Sequence, residues 1–130
     1  MANNDGNNTA DQPEPQEPES DVLSATLSVD AVFELLASNQ RRDMLHVLRD
    51  DPEKTATVTE LITHLMDQEA QRTGTRPGRD QLEMTVHHIH LPKLTDAGIV
   101  EYDARSQELR YWPDKRLEAL LDYISEWDLA

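Results

Sequence analysis

The chain has no cysteine, so neither a disulfide framework nor a thiolate metal site can be built. It lacks any apolar run approaching the roughly 20 residues that span a bilayer. The N-terminal stretch MANNDGNNTADQ lacks the basic start and apolar core of a secretion signal. These absences lead to the expectation of a soluble, cytoplasmic protein. There is no glycine-rich phosphate loop and no convincing nucleophile–base pair, so an enzyme is not expected and no cofactor is implied. No internal repeat is visible. Lysine is scarce, with only Lys54, Lys93 and Lys115. Positive charge as a whole is outnumbered: 12 Lys plus Arg stand against 26 Asp plus Glu, a formal net charge of −14.

Such a balance ordinarily argues against nucleic acid, because phosphate contacts favour a positive surface. Near molar salt the Debye length shrinks to about 3 Å, and long-range repulsion from DNA is mostly screened. An acidic, lysine-poor surface fits a salt-adapted, halophilic protein. An ordinary acidic protein with a solvated tail is the alternative. The excess persists from Ser28 onward, with 20 acidic against 12 basic residues.

Residues 1–27 are rich in Asn, Gly, Gln and alternating Pro–Glu, carrying six acids by Asp21 and no basic residue. This composition predicts a disordered acidic tail. A single domain is expected over 28–130. Ser28 is a good N-cap for a first helix, with Val29, Val32, Phe33, Leu35 and Leu36 as its apolar stripe. Ser38–Gln40 breaks that helix and can cap a second, which carries Met44, Leu45, Val47 and Leu48 and stops at Asp50–Pro52. Arg41 and Arg42 fall on its first turn, the electrostatically poorer end for cations. They suggest either a partner or an exposed arginine pair.

Thr57-Val58-Thr59-Glu60 is a capping box opening a third helix, with Val58, Leu61, Ile62, Leu65 and Met66 as its apolar face. Arg72–Arg79 (RTGTRPGR) reads as a loop. Asp80 to Glu83 repeats the cap-and-acid spacing and starts a fourth helix, about 80–97. Pro92 removes one hydrogen bond and clashes one turn back, at a cost of about 3 kcal/mol in a helix interior. Leu91 and Leu94 nevertheless carry the apolar spacing past it. A kinked but continuous helix competes with two short helices broken at Leu91. Gly98 stops the helix, and a hairpin follows over about 99–112. A closing helix over 114–128 places Leu117, Leu120, Leu121, Ile124 and Trp127 on one face. The fold class is mainly α with a small β-hairpin (α+β), in the order of a winged helix-turn-helix with an added C-terminal helix.

The run HLPKLTDAGIVEYD, His90 to Asp103, resembles the segment of winged-helix regulators in which a recognition helix ends in a His-Leu…Leu…Ala-Gly-hydrophobic-Val pattern. With VFELLASNQRRDMLHVL upstream, the chain is similar to a family of small haloarchaeal winged-helix domains of largely uncharacterised function. The likeness covers about Val29 to Trp112, and its proline is absent from most general winged-helix proteins. The resemblance implies the winged-helix fold and suggests DNA binding or transcription regulation. It assigns no effector.

Three readings compete for the histidine stretch, Thr85 to Val100. Glu83, His87 and His90 stand at i, i+4 and i+7, so they can share a face and hold an N/O-ligated divalent ion. His64 is a possible distant fourth ligand. The bland alternative is part-buried packing histidines. His88 instead shares the opposite side with Gln81 and Thr85, residue types that read base edges or phosphates. Arg76 and Arg79 precede this helix, Arg105 lies at the hairpin tip, and Arg110 on the return strand. These seven residues form the expected contact set with double-stranded DNA, against the alternative of scattered solvated arginines. Leu117, Leu121, Ile124 and Trp127 form either a homodimer face or part of the chain's own core. A protein-interaction module on the same scaffold is the competing function.

Overall fold

The computed structural model describes residues 27–129, with side chains through Trp127. The acidic tail expected over 1–27 therefore lies outside the described residues, except Leu27. That residue is not tail at all: it is buried among the core hydrophobics, and its carbonyl accepts from Arg116.

Helix α1 (Val29–Leu36) opens on the Ser28 hydroxyl, which accepts from the Ala31 N–H at 3.0 Å. Ser38 caps α2 (Asn39–Asp50) in the same way. The apolar stripe expected of α1 is only partly internal: Val32, Leu35 and Leu36 are buried, whereas Val29 and Phe33 are exposed.

Arg41, expected at the surface or against a partner, is buried instead. Its Nε donates to the Leu35 carbonyl at 2.9 Å and its Nη2 to that of Glu34 at 2.7 Å. Arg42 donates to the Leu36 carbonyl at 2.5 Å. The last carbonyls of a helix lack intrahelical donors and carry partial negative charge, so a guanidinium there is doubly favourable. The arginine pair is thus the C-terminal cap of α1, delivered by the next helix.

Strand β1 (Thr55–Thr57) leads into α3 (Val58–Thr73) through the capping box at Thr57 and Glu60, with both reciprocal bonds formed at 2.9 and 3.1 Å. Gly74, at φ 80°, ends α3. Next comes a rod made of α4 (Arg79–Thr85), a π-turn (Val86–His90) and α5 (Leu91–Asp96). Its N-cap is Gly78 rather than the expected Asp80, which lies inside the first turn.

The rod is continuous through Pro92. Just before the proline, the Leu91 N–H bonds the Val86 carbonyl five residues back, so the missing donor is absorbed by a locally widened helix rather than by a break. Gly98, at φ 79°, turns the chain into β2 (Val100–Asp103), which pairs with β3 (Glu108–Tyr111).

The expected hairpin is in fact a three-stranded antiparallel sheet of order β1-β3-β2, with Ala56 opposite Leu109 and Tyr102 opposite Leu109 on the other side. Helix α6 (Lys115–Leu129) closes the fold and packs back on α1. Leu117 and Leu121 are therefore fully buried in the chain's own core and cannot form the homodimer face considered for them. The architecture is mainly α with a small antiparallel sheet and a C-terminal helix, an order that fits a winged helix-turn-helix layout.

Candidate nucleic-acid interface

The rod is anchored from within by Leu82, Val86, His90, Leu91 and Leu94, all buried. α4 packs on α3, and α5 packs on β2. Burial of that row leaves Gln81, Met84, His88 and Ile89 exposed on the outward side, with Thr85 half-buried. Gln81 and His88 thus stand where a ligand can reach them. Thr85 is less available than its type suggests, because its hydroxyl donates to the Gln81 carbonyl at 3.0 Å. Met84 and Ile89 were not foreseen among the outward residues.

The four arginines of the expected contact set differ in their surroundings. Arg76 is held by Asp67 at 2.6 Å, an exposed ion pair that cancels its charge locally. Arg79, by contrast, donates to the neutral hydroxyl of Thr63 at 2.7 Å and keeps its full charge at the start of the rod. Arg105 sits on the β2–β3 turn with its side chain exposed; its backbone N–H donates to the Asp103 carboxylate at 2.9 Å, fixing the turn. Arg110 lies over the Trp112 ring at 5.7 Å, on the outer sheet face opposite Glu101. Arg79 and Arg105 are therefore the arginines best placed to meet a polyanion.

The shared face imagined for Glu83, His87 and His90 does not form. The π-turn rotates His90 into the core while Glu83 and His87 stay exposed, and His87 rests edge-on against Tyr102 at 6.3 Å between ring centres. No group of three His, Asp or Glu among the described residues could hold a metal ion. Both nitrogens of His90 are already engaged: Nδ1 accepts from Arg41 Nη1 at 3.2 Å, and Nε2–H donates to Gln40 Oε1 at 2.9 Å. His46 repeats the pattern, with Arg49 against Nδ1 and Ser125 Oγ at 3.0 Å from Nε2. Ser125 gives its own proton to the Leu121 carbonyl, so it can only accept from the ring.

Both rings are kept neutral. Burial first, then the Arg41 and Lys93 charges, push the His90 pKa down to about 4; burial and Arg49 lower that of His46. The unfolded chain takes up these protons near pH 6.5, whereas folded His90 resists until about 4. Between those values the unfolded state holds more protons, so stability falls as pH drops through that window. A loss on the order of 2 kcal/mol is expected. It should appear as a lower urea midpoint already at pH 5, above the range in which Glu34 and Asp51 titrate. His90→Gln should flatten most of the dependence; an unchanged slope in that variant would contradict it.

On the far side of α6, Phe33, Leu36, Ala37, Leu120, Tyr123, Ile124 and Trp127 line an apolar groove against α1. Phe33, Tyr123 and Trp127 are more than half exposed there, and the Tyr123 and Trp127 rings meet at a tilt of 54° with their centres 5.2 Å apart. Of the proposed dimer face, only Ile124 and Trp127 belong to this groove. No helix among the described residues is long and apolar enough to cross a membrane.

No curated protein and no solved structure matches the chain. A family profile matches residues 33–110, running from within α1 through the rod to β3. That is more than half of the 130 residues, and the chain accordingly belongs to the family described as Domain of unknown function (DUF7344).

Proposed function

We propose that this chain is a DNA-binding transcription regulator, with the rod Arg79–Asp96 as its reading element and the β2–β3 hairpin as its wing. The observation that carries the reading is the outward exposure of Gln81 and His88 on a helix held to the core by its buried row Leu82, Val86, His90 and Leu94. Arg79 at the rod's start and Arg105 at the wing tip supply cationic contacts, which fits the way a helix in the major groove and a wing grip a duplex. The likeness to haloarchaeal winged-helix domains supports the same reading. So does the acidic composition, which suits a salt-rich cytoplasm where the net charge of −14 is screened. At such salt counterion release contributes little, so affinity rests on direct contacts.

The test uses the full chain and its own upstream DNA in high-potassium buffer. The wild type shifts the duplex, and Arg79→Ala combined with His88→Ala abolishes the shift with the circular dichroism spectrum intact. No retained DNA at any salt concentration contradicts the reading.

The α1–α6 groove favours a second reading, a protein-interaction module. Monomers rarely leave clustered aromatics uncovered. A second copy seated on Phe33, Tyr123 and Trp127 would also give a DNA reader its avidity. Sedimentation that stays monomeric at all concentrations, together with a nuclease-insensitive partner, would favour the module over the regulator.

A further inference from the structure

We propose that Met84 and Ile89 read thymine methyl groups, so that the rod selects sequence by apolar contact as well as by the polar edge of Gln81 and His88. The inference rests on the DNA-binding reading and names what that site recognises.

It begins with the spacing of the buried row. Leu82, Val86, His90 and Leu94 recur every four residues, and all are buried. In a regular α-helix a row of that spacing slides around the axis by about 40° per step, and Leu94 would lie about 120° from Leu82. The π-turn at Val86–His90 adds a residue to one turn and brings the row back toward the core. The same correction acts on the outward row, Gln81, Thr85 and Ile89. It draws Ile89 out of the boundary with the core and into line with Gln81, where it is 46% exposed. Met84, at 64% exposed, stands beside His88 one turn away.

The result is a strip of five neighbouring side chains, Gln81, Met84, Thr85, His88 and Ile89, without one carboxylate, on a chain with a net charge of −14. Such a strip can approach phosphate-lined walls that the rest of the surface would repel. It is bounded by Arg79 at the rod's start and, on the flank beyond Met84, by the exposed carboxylates of Asp80 and Glu83, while Arg105 caps the wing. The chemistry that matches an exposed aliphatic pair between hydrogen-bonding side chains in the major groove is the thymine C5-methyl, the one apolar group on a base edge there. Burying two aliphatic side chains against methyls also suits high salt, since hydrophobic contact is not weakened by screening.

A random-core duplex library is presented to the full chain in molar potassium chloride. The retained sequence is then resynthesised with deoxyuridine replacing thymidine at one position at a time. Wild type is expected to lose about fourfold in affinity per contacted methyl, at one or two positions. Ile89→Ala or Met84→Ala should be indifferent to the replacement at the matching position. Both side chains are exposed, and unchanged melting of the variants verifies that the fold is kept. A selected sequence that tolerates deoxyuridine everywhere, or a loss that persists in both variants, overturns the methyl reading and leaves DNA binding standing. Retention of no duplex at all overturns both.

Discussion

Arg41→Ala is expected to destabilise the fold by about 3 kcal/mol, which for a domain of this size lowers the melting temperature by about 15 °C. The side chain is 6% exposed and serves three acceptors at once: the Glu34 and Leu35 carbonyls and Nδ1 of His90. Removing it leaves the Leu35 carbonyl and a ring nitrogen buried without that donor, and the Glu34 carbonyl with only the Ala37 N–H; each loss carries its own desolvation cost. It also loosens α1 from the rod, because the same guanidinium holds the end of one and the π-turn of the other, leaving the exposed Lys93–Glu34 pair as the polar link between them. Arg41→Met, which keeps the apolar stem, should recover only a small part of the loss. Thermal and urea unfolding measure the effect; a change below about 1 kcal/mol would show that water replaces the guanidinium at no cost.

Leu121→Ala is expected to cost 2–5 kcal/mol, roughly the range for truncating a fully buried leucine, whereas Trp127→Ala should change monomer stability by less than about 0.5 kcal/mol. Both lie on α6, but Leu121 is fully buried and Trp127 is 65% exposed. The contrast separates the face that belongs to the fold from the face that is open to a second chain. If Trp127→Ala instead removes a concentration dependence of the melting temperature, the groove is a self-association surface. Equal costs for the two variants would mean that α6 is seated differently.

Much of this architecture is legible in the sequence because local signals and tertiary needs agree. Ser28, Ser38 and the Thr57–Glu60 box cap the helices as their types demand, and Gly98 ends the rod at a positive φ that favours glycine. Long-range pairing is what the sequence hides. β1 has three residues, too short for an alternation to register, and exists because β3 supplies its partners at Leu109 and Arg110. Arg41 and Arg42 read as a solvent-exposed pair, since nothing local reveals that the neighbouring helix ends beside them with free carbonyls. The site is legible in part. Gln81 and His88 are outward as helical spacing predicts, but that spacing assumes a regular helix. The π-turn moves His90 inward and Ile89 outward, which dismantles the Glu83–His87–His90 cluster and places Ile89 beside Met84 on the open face. A row of apolar or histidine positions at a strict spacing of four, next to a proline, was the available signal.

The central claim is that the rod and the wing tip meet DNA, and mapping the contact on the folded chain tests it most directly. An isotope-labelled sample titrated with the retained duplex in molar potassium chloride is expected to show amide shifts concentrated at Arg79–Ile89 and at the turn around Arg105. The amides lining the α1–α6 groove should move little. Shifts confined to that groove, or none anywhere along the rod, would contradict the account.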